Sequence, residues 1–316
     1  MLENYLYSLI KNIIITDTAL DKTNYLDNNL KDLLKIRRDF YILWRNKFNL
    51  FSTNEKFLYN YNILEENKNF IKCTLTLNMH CVFYKNIASS YIYNYLLIIE
   101  KASHSYKIVL ALNSEEDSHL FNHYIKCPLD NINFNISSFL VHKWRNNIAK
   151  INYLFFNYHS YIFHKNTHYR KSIFNIQKAA EYAETYAIIP NINYKSFEFS
   201  GGDCTNFVSQ ILHAGNIKTT NSWKPYTNSW VRVEEFYSYV INNGIGLDVT
   251  HKNEFSRGNF LQFSTYERNR FFHSGFITYE LKSDCLYCCH TYNKLNYPLS
   301  QIYPFIYPII RIVKIH

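Results

Sequence analysis

The chain reads as an α+β protein in two halves, and three patterns predict this. Between residues 26 and 44, Leu26, Leu30, Leu33, Leu34, Phe40, Leu43 and Trp44 recur near helical spacing. Ile71, Cys73, Leu75, Leu77, Met79, Cys81 and Phe83 then alternate with mostly polar partners, the period-two signature of a strand with one buried face. Further on, a glycine-rich turn leads into an amphipathic helical segment, followed by a strand, a polar break and a second strand. Helices followed by an antiparallel meander, then a helix followed by a hairpin, make an α+β chain rather than alternating β-α-β units.

In chain order, a first helix is expected over residues 2–14. Residues 57–64, 90–100 and 104–113 read as strands flanking the 71–83 strand, with the break Ala102-Ser103-His104-Ser105 supporting a hairpin. These elements define an N-terminal α+β domain over residues 1–127, for which a cystatin-like or NTF2-like cone is the nearest analogy. His80 stands alone among the alternating strand residues and is expected to face solvent, so this half offers no catalytic constellation. Residues 128–168, with Phe139, Leu140, Trp144, Ile148, Ile151 and Phe155, are expected to form a helical connector. An Ala-rich helix from about Ser172 to Ile188 follows, with Ile173, Ile176, Ala180, Ala183 and Ala187 on one face and Pro190 ending it. It opens the last domain, residues 169–316.

Composition bounds the function without naming it. The 316 residues are 47% hydrophobic and 18% aromatic, with 29 Tyr and 24 Phe, which excludes a disordered chain. A formal charge of +9 favours anionic partners through long-range steering, but no Lys/Arg-rich run or recognition motif points to nucleic acid. Seven cysteines, an odd count, argue against a disulfide scaffold. Cys285-x-x-Cys288-Cys289-His290 has no second ligand cluster to complete a zinc site, so small apolar strand residues explain it better and neither a metal nor another cofactor is expected. The first residues lack a positive n-region, and the apolar stretch after them is broken by Ser8, Lys11 and Asn12, so no secretory signal is expected. No apolar run approaches the ~18 residues of a membrane span. Synthesis in the cytoplasm with free thiols is the expectation.

The segment Ser200-Gly201-Gly202-Asp203-Cys204-Thr205-Asn206-Phe207-Val208-Ser209-Gln210 carries the chemistry. It sets Cys204 at a glycine turn in the first turn of a helix with Phe207, Val208, Ile211 and Leu212 on one face and Gly215 as C-cap. A helix start lowers a thiol's pKa, and its unpaired N–H groups suit a developing oxyanion. Two histidines follow. His273 opens a strand through Tyr279, and His290 lies in the partner strand from Cys285 to Tyr292. With a four-residue loop, Leu281 to Asp284, His273 pairs with Tyr292 and lies diagonal to His290, so both imidazoles share one face. An odd count would separate them. One imidazole taking the thiol proton, with a second polar group fixing it, is the arrangement a cysteine nucleophile needs. Asp203 is expected to cap the nucleophile helix through its carboxylate, Asn206 to support the turn, and Trp223, Tyr226 and Trp230 to pack in the core or wall a groove.

Tyr169-Arg170, Ala179-Ala180-Glu181-Tyr182-Ala183-Glu184-Thr185-Tyr186-Ala187, Pro190-Asn191, Tyr194, Phe197 and the Gly-Gly-Asp-Cys-Thr-Asn-Phe-Val-Ser-Gln block together resemble an amidase-domain family of low-GC Gram-positive bacteria. That family is related to the NlpC/P60 and papain-like cysteine peptidases. Asn228-Ser229-Trp230-Val231, Phe236-Tyr237, Gly258 to Phe263, His273-Ser274 and His290-Thr291 match its remaining blocks in order, with Asn259 standing where the family usually has Asp. The resemblance implies a papain-like or NlpC/P60-like fold in the last 150 or so residues. It implies Cys204 as nucleophile, His273 as general base and His290 as the third polar member; Gly202, Asp203, Asn206, Trp223 and Trp230 are read from their places beside these as cleft or support residues. It also implies a peptide or amide substrate of the cell wall, with anionic wall polymers as partners and a location in the cytoplasm or at the spore or cell wall. A transglutaminase-like acyltransferase, with an amine in place of water, uses the same residues. A catalytically inactive wall- or partner-binding module is the alternative from another class.

Overall fold

The computed structural model describes residues 2–14, 25–83, 86–103, 105–133, 136–160, 173–198, 200–252 and 254–316. His104, Tyr169, Arg170, Ser172 and residues 161–168 of the expected connector lie outside them. The chain is mixed α+β with antiparallel strand pairing, and it divides into two compact units.

The first unit comprises Met1–Phe51, Phe57–Met79 and Tyr93–Tyr153. Its elements are α1 (Leu2–Ile14), α2 (Asn28–Phe48), most of β1 (Thr53–Glu66), β2 (Phe70–Phe83) and β3 (Ile87–Ala102), then β4 (Ser105–Asn113), α3 (Ser118–Tyr124) and α4 (Ile136–Ala149). Asp27 starts α2 by accepting the Asn29 N–H at 2.8 Å, and Asn49, left-handed at φ 49°, ends it. The apolar stripe buries Leu30, Leu33, Leu34, Phe40, Trp44 and Phe48, while Leu43 falls outside the stripe and is exposed. β2 buries every second residue from Ile71 to Phe83, as its alternation dictates. It also buries Lys72, whose ammonium is 2.8 Å from Glu65 and 2.7 Å from the Cys127 carbonyl. β3 and β4 pair antiparallel, Tyr95 opposite Asn113, with a bulge at Ile98/Ile99. Among its described residues the connector forms a short 3-10 helix (Leu129–Asn131) and the helices α4 and α5 (Ile151–Ser160), and the compact units divide between Tyr153 and Leu154.

The second unit comprises Ser52–Lys56, His80–Ile92 and Leu154–His316. It contains α6 (Ile176–Tyr186), α7 (Cys204–Ala214), α8 (Asn228–Val231), α9 (Val233–Asn242), β5 (Gly246–Asp248), β6 (Phe260–Ser264), β7 (His273–Glu280), β8 (Cys285–Cys289), β9 (Lys294–Pro298) and β10 (Ile309–Ile315). Its strands order as β9-β8-β7-β6-β10-β5, and Ser90 and Tyr91 of β3 pair with Leu295 and Lys294 of β9. His80 is exposed and its Nδ1 lies 2.7 Å from Ser90 Oγ.

In this unit α7 is the central helix. Every residue from Cys204 to Leu212 is buried, not only the expected apolar face. Ala179, Ala180 and Ala183 of α6 join Phe207, Val208, Ile211 and Leu212 of α7 and Phe260, Phe276, Cys288 and Val313 of the sheet in one core. Asn175 caps α6 by accepting the Lys178 N–H at 3.0 Å, three residues after the expected start. Ile173 therefore precedes the helix and is exposed. Gly215 does end α7, but at φ −76°, and the left-handed residue is Asn216 at φ 77°. Glycine is needed at 215 for space, since a Cβ there would sit 2.3 Å from the Phe174 ring.

Candidate active site

Two glycines shape the turn before α7. Gly201 and Gly202 have φ of +110° and +106°, values L side chains rarely adopt. A Cβ on Gly202 would also lie 3.1 Å from Thr291 Oγ1. The turn is pinned from both sides: the Gly202 N–H donates to the Phe197 carbonyl at 3.1 Å, and the Asp203 N–H donates to Thr291 Oγ1 at 2.7 Å.

Asp203 is the N-cap residue of α7 by position, yet its carboxylate makes no cap hydrogen bond. This corrects the capping expectation. Oδ1 instead accepts the Phe197 N–H at 2.8 Å and Asn206 Nδ2 at 2.9 Å, while Oδ2 lies 2.6 Å from His290 Nδ1. Asn206 also donates to the Lys195 carbonyl at 3.0 Å and accepts Trp230 Nε1 at 2.9 Å. Trp223 and Trp230 are buried in the core, and Tyr226 is exposed. Asn259 precedes β6 and donates to the Glu254 carbonyl at 2.8 Å.

Cys204 is the first residue of α7 and only 6% exposed. Burial pushes its thiol up, against the opposing N–H groups of Ser274 and Thr205 and the Thr205 hydroxyl, and the Asp203 carboxylate adds to the upward shift. The helix start therefore does not ionise this thiol, because desolvation outweighs it. Thr205 Oγ1 lies 3.9 Å from the sulfur and 3.0 Å from Ser274 Oγ, which fixes Ser274 on the α7 side of β7.

The β7–β8 hairpin begins in the expected register, with Glu280 opposite Cys285 across the loop Leu281 to Asp284. A bulge between Ile277 and Tyr279 then shifts the pairing by one, so Phe276 faces Cys288. Continued to the strand ends, that register sets His290 opposite Ser274. A one-residue slip exchanges faces, and the two histidines are accordingly separated. β8 also stops at Cys289, where Thr291 and Tyr292, both at positive φ (54° and 75°), form the turn into β9 rather than extending the strand.

His290 stays on the α7 side. Its ring stacks on Phe207 with centroids 3.8 Å apart and 7° between planes, and Nε2 lies 2.7 Å from the Tyr186 carbonyl. His273 points to the other face, among Phe263 (5.6 Å between centroids), Tyr292 (5.7 Å) and Tyr307 (5.9 Å). Burial holds its pKa down at about 3, and Lys294 pushes the same way. Its Nε2 is buried and, among the described residues, has no hydrogen-bond partner. No imidazole of the described residues hydrogen-bonds the Cys204 thiol. The missed members of the cluster are Thr291, Ser274, Thr205 and Tyr186. Thr291 stands in the quoted His290-Thr291 block, but its role depends on a left-handed backbone that only a turn reading of residues 290–293 would have suggested.

Cys288 joins the helix-side core and its sulfur lies 3.7 Å from Asn296 Oδ1, whereas the Cys289 thiol is directed to the Tyr292 carbonyl at 3.7 Å. No helix among the described residues is long and apolar enough to cross a membrane.

The family described as "Putative amidase domain" matches residues 173–308, the stretch that carries Cys204, His273 and His290. A protein of Bacillus subtilis strain 168, described as "Uncharacterized protein YjcM", is 50% identical over 66 residues, which are 21% of this chain and 16% of that protein. No solved structure matches the chain. At the coarse level the family match points to amide hydrolysis by residues 173–308.

Proposed function

We propose that residues 173–308 form a cysteine-dependent amide hydrolase in which Cys204 is the nucleophile and His273 the general base, on a papain-like or NlpC/P60-like scaffold. The observation that supports this reading is sequence proximity at one strand: His273, whose Nε2 has no hydrogen-bond partner among the described residues, directly precedes Ser274, whose N–H meets the buried thiol at the start of α7.

In the proposed cycle His273 Nε2 takes the Cys204 proton as the sulfur attacks the amide carbonyl carbon. The N–H groups at the start of α7 hold the developing oxyanion. Collapse breaks the C–N bond, and the leaving amine takes the proton from His273. Water then gives a proton to His273 and attacks the thioester carbon; as the C–S bond breaks, His273 returns that proton to the sulfur, releasing the carboxylic acid and the free thiol. The ring of His273 must reach the α7 side for the first transfer, so substrate binding has to couple to a rearrangement at the start of β7. The substrate class proposed is a peptide amide of cell-wall origin, in line with the resemblance, and the +9 charge suits a polyanionic wall.

The test is hydrolysis of defined muropeptides and model peptide amides, with products read by mass spectrometry. Turnover by the wild type and none by Cys204→Ala supports the assignment; equal turnover by both refutes it. Added amine appearing in the product would turn the reading to acyl transfer. The separation of His273 from the thiol favours a second reading, a binding module without turnover. Iodoacetamide that fails to label Cys204 selectively, together with no turnover on any substrate, would establish it.

A further inference from the structure

His290 faces hydrogen-bond acceptors at both ring nitrogens, a carboxylate oxygen at 2.6 Å and a carbonyl oxygen at 2.7 Å. A neutral imidazole has one N–H and satisfies one of them; two donated bonds need the imidazolium. The ring is also clamped face-on by Phe207 and is 1% exposed, so its orientation is fixed by three elements at once: α6, α7 and the turn before α7. Its carboxylate partner is the residue before the nucleophile. Thr291, next in sequence, holds the same residue by accepting the Asp203 N–H on its Oγ1. Nothing in this arrangement reaches His273.

We propose that His290 is a positioning residue for the nucleophile turn: by donating to Asp203 and to the Tyr186 carbonyl it locks the Gly201-Gly202-Asp203 turn that presents Cys204, and its charge neutralises the carboxylate beside the thiol. This rests on the nucleophile assignment above and replaces the expected role of His290 as orienter of the base. The groups facing the ring are Asp203 from the turn, Glu198 from the segment before it, the Tyr186 carbonyl from α6 and the Phe207 ring from α7. Glu198 accepts from Thr291 Oγ1 at 3.3 Å, which ties it to the same clasp. The pair therefore sits among carboxylates, and the imidazolium is the cation that offsets them.

The clasp predicts opposite electrostatic effects on one thiol. Alkylation of Cys204 by iodoacetamide is followed against pH by peptide mass spectrometry in the full chain for wild type, D203N, H290Q and D203N/H290Q. Removing the imidazolium leaves a bare carboxylate near the sulfur, so the H290Q profile moves up, by about one pH unit. Removing the carboxylate moves the D203N profile down by a similar amount, and the double variant returns close to wild type. Single variants that shift in the same sense, or do not shift, overturn the proposal. If H290Q fails to fold by circular dichroism, nitrogen NMR of the wild-type ring decides: two protonated nitrogens at neutral pH support it, and one unprotonated nitrogen overturns it. Hydrolysis that persists in Cys204→Ala would remove the nucleophile assignment, while these profiles would still decide the clasp.

Discussion

The two faces of β7 treat their histidines in opposite ways. On the α7 side His290 has both nitrogens engaged, a carboxylate partner and a stacked ring. On the other side His273 is equally buried but has aromatic walls and an Nε2 without a hydrogen-bond partner among the described residues. The His290 ring is held through both nitrogens, whereas the neutral His273 ring is held by aromatic packing alone. On that difference rest the two roles proposed above, positioning for His290 and proton transfer for His273.

The largest effect is expected at the Cys204 thiol on the α7 side. Cys204→Ala should lower turnover about a thousandfold or more, since the covalent route is lost. Its unfolding midpoint in urea should change little, because a single buried sulfur is removed. His273→Ala should lower kcat by about 10²–10⁴-fold, the usual range for a lost general base, with a smaller change in KM.

The acid limb of stability sharpens the same contrast. His273 has a folded-state pKa of about 3 against an ordinary value of 6.5, so the unfolded chain binds the proton first. Stability is fully present above the unfolded pKa and falls as pH drops below it, at roughly 1.4 kcal/mol per unit between about pH 6 and 3. His273→Phe fits the aromatic surroundings and should flatten this slope when urea midpoints at pH 7.5 and 5 are compared. An unchanged slope would mean that the ring is not buried as neutral imidazole.

Packing effects come next. Phe207→Ala removes a core side chain and the stack under His290, and should cost about 3–5 kcal/mol in chemical denaturation. Trp230→Phe keeps most of the ring but loses the Nε1 bond to Asn206. It should cost about 1–2 kcal/mol, measured the same way.

Much of this was legible locally. The period-two run from Ile71 to Phe83 fixed β2, and the Gly-Gly-Asp-Cys turn before Phe207 fixed the start of α7. Even the β7–β8 loop, Leu281 to Asp284, could be read from its polar residues. The side of the sheet on which each histidine falls could not, because a bulge at Ile277/Tyr279 leaves no mark in the alternation yet reverses every residue beyond it. The Asp203–His290 pair joins residues 87 positions apart, and its partner choice depends on that reversal. The rise in the Cys204 thiol was hidden for another reason: a helix start is visible in sequence, whereas the depth of burial that overrides it is set by tertiary packing.

The central claim is that the Cys204 sulfur forms the acyl intermediate. Rapid quenching of the wild type with a cleavable peptide amide, followed by mass spectrometry of the Cys204 peptide, tests it directly. The expected result is a mass increase equal to the acyl fragment on that peptide, absent in Cys204→Ala. Hydrolysis that proceeds with no adduct on Cys204, and equally well in the variant, would contradict it.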